Sequence, residues 1–138
     1  MLETGVSFRA QRVALVERIL QARVNGDFNC LEALSAPDIV VKLIGDAALF
    51  SYCGEYHGRA DARHALERVH VEFSFHDMMI DHLLVDGEQA AMRWNGILRN
   101  RGTGASAHFE GFTHLIFENG LIKEYYSLVD TATMGTLK

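Results

Sequence analysis

The chain has 138 residues, 49% apolar and 22% charged, with a net charge of -5. That is the length of one domain, spanning 1–138, with enough apolar side chains for a real core. The acidic balance and the lack of a Lys/Arg cluster argue against a nucleic-acid surface, and no apolar run approaches the roughly 20 residues of a membrane span.

Residues 8–24 place Val13, Val16, Leu20 and Val24, with Leu15 and Ile19 beside them, at spacings of three and four. This predicts an amphipathic helix, ended by Asn25-Gly26. The opening MLETGVSFRAQRVALVERIL mixes charge with aliphatics on the same period, so it does not read as a signal peptide. Asp27 can cap a second short helix carrying Phe28, Leu31 and Leu34. Pro37 then forces the chain out, and IVVKLIG (39–45) reads as a β-branched strand. The two cysteines, Cys30 and Cys53, lack a CxxC spacing and read as free thiols of a cytoplasmic protein.

Residues 46–59 read as a loop with three aromatics, Phe50, Tyr52 and Tyr56. A third helix follows, with Ala62, Leu66, Val69 and Phe73 along one stripe. The period then changes from helical to two. Residues 74–86, 88–101, 107–118 and 121–130 predict four long strands, joined at Asp86-Gly87, GTGAS (102–106) and Asn119-Gly120. Helices first and a four-strand meander after them make an α+β domain.

Three pieces carry a family resemblance. VERILQARVNGDFNCLEALSAPDIVVKL is similar to the two-helix-then-strand opening of the nuclear-transport-factor-2-like superfamily. YHGRADARHAL resembles its entry into the third helix. VDGEQAAMRWNG and FENGLIKEYYSLVD resemble two strands of its SnoaL-like, ketosteroid-isomerase-related branch. The resemblance implies a cone-shaped, curved mixed β-sheet wrapping three N-terminal helices. It also implies a small-molecule pocket inside the cone and a homodimer through the outer sheet face.

Turn positions predict register, and register decides which side chains share a face. Counting from the turns, His114 faces Tyr125, Phe112 faces Ser127, Arg93 faces His114, and both Ile80 and Met78 pair with β-partners Arg93 and Asn95 in turn. One face then collects His76, Met78, Ile80, His82, Arg93, Asn95, Ile97, Glu110, Phe112, His114, Ile116, Tyr125, Ser127 and Val129. The other collects Phe75, Met79, Leu83, Val85, Trp94, Leu98, Phe109, Leu115, Phe117, Ile122, Tyr126 and Leu128. The second, more apolar face is expected to be covered by another subunit, or else by a helix of the same chain. The first is expected to look inward, its polar groups lining a cavity or satisfying one another in a network around Arg93. A β-bulge would invert the assignment beyond it.

On this reading His114 is the candidate base, with Glu110 to hold it and Arg93 to stabilise an enolate. Asn95, Tyr125, Ser127, Phe112 and His76 would line the ligand site, and Phe50, Tyr52 and Tyr56 either close its mouth or pack on the third helix. The expected ligand is a small apolar or carbonyl-bearing molecule, and no cofactor or metal is called for. Resembled relatives carry their catalytic carboxylates at positions that here read Asn95, Ser127 and Lys42. Asn and Ser cannot serve as bases. Two functions therefore stand side by side: an acid–base enzyme of isomerase, cyclase or hydrolase type, and a non-catalytic metabolite-binding module.

Overall fold

In the computed structural model, which describes residues 7–138, Ser7 accepts the backbone N–H of Ala10 and starts helix α1 (Phe8–Asn25). Residues 1–6, on which part of the signal-peptide reading rests, lie outside the described residues. Gly26, at φ 67°, ends α1 in the left-handed conformation that glycine adopts without a Cβ penalty. Asp27 caps α2 (Phe28–Ala33) through a bond from the Cys30 backbone N–H. The third helix, α3 (Arg59–Glu72), stops one residue before Phe73, which is fully buried and opens the next strand. A fourth short helix, α4 (Thr131–Gly135), has no counterpart in the sequence reading. Asp130 caps it, and the Thr133 hydroxyl and backbone N–H hold the Asp130 carboxyl below the usual carboxylate range.

The strands are β1 (Ser35–Ile44), β2 (Gly54–His57), β3 (Phe73–Asp86), β4 (Gln89–Asn100), β5 (Ser106–Glu118) and β6 (Leu121–Val129). They form one open sheet in the order β2-β1-β6-β5-β4-β3, with β1 parallel to β6 and the other neighbours antiparallel. The four-strand meander is present as read. Two local expectations are corrected. First, β1 begins before Pro37. A proline lacks the N–H for a ladder, yet it is accommodated because the β1–β6 pairing is irregular between Ser35 and Val40. Second, the segment read as a loop contains β2, whose residues pair with Val40–Leu43.

Helices α1, α2 and α3 cover one face of this sheet. Val16 and Ile19 of α1, Leu31 of α2, and Leu66 and Val69 of α3 meet Val41 and Leu43 of β1 in one buried cluster. From the sheet side, β4 contributes Ala90, Met92, Trp94 and Leu98, and β5 contributes Phe109, Leu115 and Phe117. Arg12 of α1 reaches across to Glu88 at the β3–β4 turn, Nη2 to Oε1 2.7 Å. Among the described residues no helix is long and apolar enough to cross a membrane, and Cys30 and Cys53 form no disulfide.

The expected inner and outer faces are exchanged on β4 and β5. Burial alternates strictly along both strands, and the buried set is Trp94, Leu98, Phe109, Leu115 and Phe117. The chain's own helices cover this apolar face. Arg93, Asn95, Glu110, Phe112 and His114 share a face as expected, but it is the outer one. Arg93 pairs with Phe112, not His114, because the β4–β5 connection centres one residue earlier than the expected Thr103-Gly104 turn, which moves each partner by two.

Bulges complete the rearrangement. On β6, Phe117 pairs with Ile122 but Ile116 pairs with Glu124, leaving Lys123 as an extra residue. Beyond it the side-chain alternation inverts. Tyr125 therefore sits opposite Leu115 and Ser127 opposite Thr113, on the inner face, instead of opposite His114 and Phe112. Strand β3 carries two more register shifts, one between His76 and Met79 and one between Ile80 and His82. The first includes Asp77 at φ 52°. Phe75, Met78, Ile80, Leu83 and Val85 consequently all pack toward the core, a set that strict alternation divides between two faces.

Candidate functional site

Where the curved sheet separates from α1 there is a hollow. It is walled by Ile19, Leu20, Arg23 and Val24 of α1, by Met92 and Trp94 of β4, by Phe109 and Thr113 of β5, and by Tyr125, Ser127 and Val129 of β6. Tyr52 and Cys53 close one side, and Thr131 and Met134 of α4 another. The space open to the centres of water-sized molecules is about 60 Å³. That is more than the roughly 10–15 Å³ one enclosed water needs.

A chain of hydrogen bonds crosses the sheet floor of the hollow. The Trp94 indole N–H donates to Thr113 Oγ1 at 2.9 Å, and Thr113 Oγ1 lies 3.1 Å from Ser127 Oγ. Both hydroxyl residues are buried. They meet because the Lys123 bulge turns Ser127 inward to the residue that pairs with Thr113. Aromatic rings support this floor from one side: Phe109 packs edge-on to Trp94 at 5.2 Å and stacks on Phe75 at 6.0 Å.

The opposite wall is built by the aromatic segment. Phe50 is buried, stacked on Tyr52 at 5.5 Å and edge-on to Phe73 at 5.8 Å, so it acts as packing. The Tyr52 hydroxyl donates to Glu72 Oε1 at 3.0 Å, and burial followed by the Glu72 charge pushes its pKa far up. Tyr56 donates to the Tyr52 carbonyl at 2.8 Å and is not part of the lining. Burial, and then the Asp46 charge, pushes the Cys53 thiol up. The phenol and thiol on this wall are therefore held protonated at neutral pH.

Of the residues singled out from the sequence, Tyr125, Ser127 and Tyr52 come together around the hollow. The others lie elsewhere. His114 is exposed, its Nε2 3.0 Å from Gln89 Oε1. Glu110 and Arg93 are exposed on the same outer surface. Asn95 bridges Asp81, at 2.7 and 2.8 Å, and His108, at 3.1 Å. His76 is exposed and bonded to Ser74. Phe112 is 54% exposed. Placing the His114–Arg93–Glu110 cluster inward is thus corrected: the alternation was read in the right phase but assigned to the wrong side. Sequence reasoning missed Arg23, Trp94, Thr113 and Cys53 as lining residues. For Thr113 a signal existed, since it alternates with Phe109, Leu115 and Phe117 and so had to share their buried face.

The structure is similar to that of an NTF2-like protein of unknown function from Burkholderia pseudomallei, at 20% identity, covering 92% of this chain and 96% of that one, with a TM-score of 0.81. It is also similar to TerC co-crystallized with polyporic acid, at 12% identity, 92% and 97% coverage and a TM-score of 0.78. A third similar structure is an LEH-like epoxide hydrolase of M. tuberculosis, at 19% identity, 91% and 88% coverage and a TM-score of 0.70. At these identities the likeness concerns the fold. A search of curated protein sequences finds no significant match. The profile of the SnoaL-like domain family matches residues 16–125. With helices lining the inner face of an open six-stranded sheet and that profile spanning most of its length, the chain belongs to the SnoaL-like domain family of the NTF2-like fold.

Proposed function

We propose that the chain binds a small, mostly apolar, carbonyl-bearing molecule in the hollow between sheet and α1, and serves as a binding module. The observation that carries this reading is the Trp94–Thr113–Ser127 chain. The indole donates to Thr113 Oγ1, and a single proton joins the Thr113 and Ser127 hydroxyls whichever of them donates. One of the two hydroxyl protons is therefore left for an acceptor inside the hollow, which both residues line. A ligand carbonyl there would satisfy a buried donor while its apolar body fills a wall of Ile19, Met92, Phe109 and Val129. The polar lining supplies hydrogen-bond donors, and the Tyr52 phenol and Cys53 thiol stay protonated, which supports holding a ligand over abstracting its proton. The co-crystallization of TerC with polyporic acid is in keeping with small-molecule binding by proteins of this fold.

The test uses Trp94, the single tryptophan of the chain, as reporter. Titration with small cyclic ketones should shift its emission saturably. Ser127→Ala should weaken binding by roughly two- to tenfold, the worth of one neutral hydrogen bond. An emission that no ketone changes, or that responds identically in Ser127→Phe with the hollow filled, defeats the proposal. The enzyme reading makes an opposed claim: His114→Ala would then abolish turnover of a ligand so found. Placement of His114 on the outer surface leads us to expect no change.

The outer sheet face fits a second copy of the chain. One row across four strands reads Arg93, Phe112, Leu128 and Ile44 in successive pairings. Phe112, Leu128 and Ile44 are 54%, 47% and 36% exposed. A two-fold axis would bury such a row against itself. Phe112→Glu should accordingly shift a dimer to monomer in sedimentation velocity, and a wild-type protein that is already monomeric at micromolar concentration would overturn the expectation.

A further inference from the structure

Arg23 is the single charged residue among those lining the hollow. It sits in the last turn of α1, and its Nη1 is buried with no hydrogen-bond partner. Among the described residues it joins no ion pair. Its guanidinium lies over the Phe75 ring, 5.3 Å from the centroid, so its orientation is held by packing. A guanidinium nitrogen out of water and without an acceptor is costly.

A second orphan donor flanks the same ring. The His70 ring lies 6.1 Å from Phe75, and its Nδ1 is buried without a partner. Arg101 Nη2 contacts the other ring nitrogen, Nε2, at 3.0 Å. A guanidinium can only donate, so Nε2 accepts and the proton resides on Nδ1. Two buried N–H groups, one of them charged, therefore lie beside the Phe75 ring with no acceptor to take them; of the two residues, Arg23 lines the hollow and His70 does not.

We infer that the ligand of this hollow is a monoanionic apolar acid whose charged oxygens are held by the Arg23 guanidinium beside Phe75, with the apolar body running toward Trp94 and Ser127. This rests on the binding role proposed above and adds the chemical class. The fork of an arginine matches a carboxylate with two parallel bonds, which a neutral amide of the same shape cannot reproduce. Arg23 thereby becomes the residue that sets specificity, while the sheet floor supplies apolar contact.

Phenylacetate and phenylacetamide are matched probes, alike in size and differing in charge. Titrated against wild-type protein at neutral pH and followed by Trp94 emission, phenylacetate should bind about ten- to a hundredfold tighter. Arg23→Gln should remove that preference, so that the two probes bind this variant equally, and Arg23→Lys should retain part of it. The wild-type comparison needs no variant, so a poorly folded Arg23→Gln does not blunt the test. If both probes bind wild type equally, or if the preference survives in Arg23→Gln, the anion inference falls and the binding role stands. If neither probe changes the emission, the anion inference falls, and the ketone titration decides the binding role separately.

Discussion

Gly111→Ala is expected to lower the melting temperature by about 10 °C and to remove any ligand response of Trp94. The cause is space, not backbone conformation. A Cβ at Gly111 would stand 2.4 Å from Trp94 Cζ2 and 2.5 Å from the Leu128 carbonyl oxygen. Neither neighbour yields easily. The indole is held by its bond to Thr113 and by Phe109 edge-on, and the carbonyl belongs to the adjacent strand of the ladder. Overpacking of this kind costs about 1–3 kcal/mol, and a rigid backbone neighbour places it at the upper end. At roughly 3–4 °C per kcal/mol for a domain of this length, that is the stated shift. A displaced indole would strain its bond to Thr113 and, because Trp94 lines the hollow, would alter the ligand's space. Thermal melts with paired emission titrations check both claims. Adding Trp94→Phe should restore part of the stability, since it removes the ring clash and leaves the carbonyl clash. A Gly111→Ala protein that melts with wild type and still reports ligands would show that the floor is far softer than its packing implies.

Phe109→Ala should cost about 3–5 kcal/mol in unfolding free energy and widen the range of ligands accepted. Phe109 is 1% exposed, lies between Phe75 and Trp94, and forms part of the hollow's lining. Truncation removes a ring's worth of buried contact and joins the vacated volume to an existing space. Rigid neighbours collapse little, so the cavity penalty adds to the lost transfer energy. The two consequences are separable. Urea denaturation reads the stability loss. Titration with a ketone too bulky for wild type reads the enlarged hollow, and saturable binding appearing only in the variant is the expected result. Loss of stability without any gain in ligand size would place Phe109 in the core but away from the ligand.

Much of the architecture was legible because its signals are local. The α1 stripe of Val16, Ile19 and their neighbours, the glycine at position 26 and the Asp27 cap each act within a few residues. The Asn119-Gly120 turn, with Asn119 and Gly120 both at positive φ, placed Glu118 opposite Leu121 as counted. The candidate site was legible only in fragments. Tyr125, Ser127 and Tyr52 were named from the sequence and do line the hollow, whereas His114, Arg93 and Glu110 were assigned to the wrong side of the sheet. Alternation shows which residues share a face, but it says which face is inside only when one of the two is polar. Here the outer face carries Phe112, Leu128 and Ile44, and the inner one carries Thr113 and Ser127, so the usual contrast is blurred.

Sequence alone determined the first three helices, the meander and the family to which they belong, since periodicity, caps and turn residues are short-range properties of the chain. Tertiary packing decided which face looks inward and where register breaks. The extra residue at Lys123, and the shifts near Asp77 and Asp81, let a flat ladder curl around α1 and α3. Each is placed by the shape the sheet must take to cover its helices, and one displaced residue is enough to carry Ser127 to Thr113 and to aim both at the same hollow as Arg23.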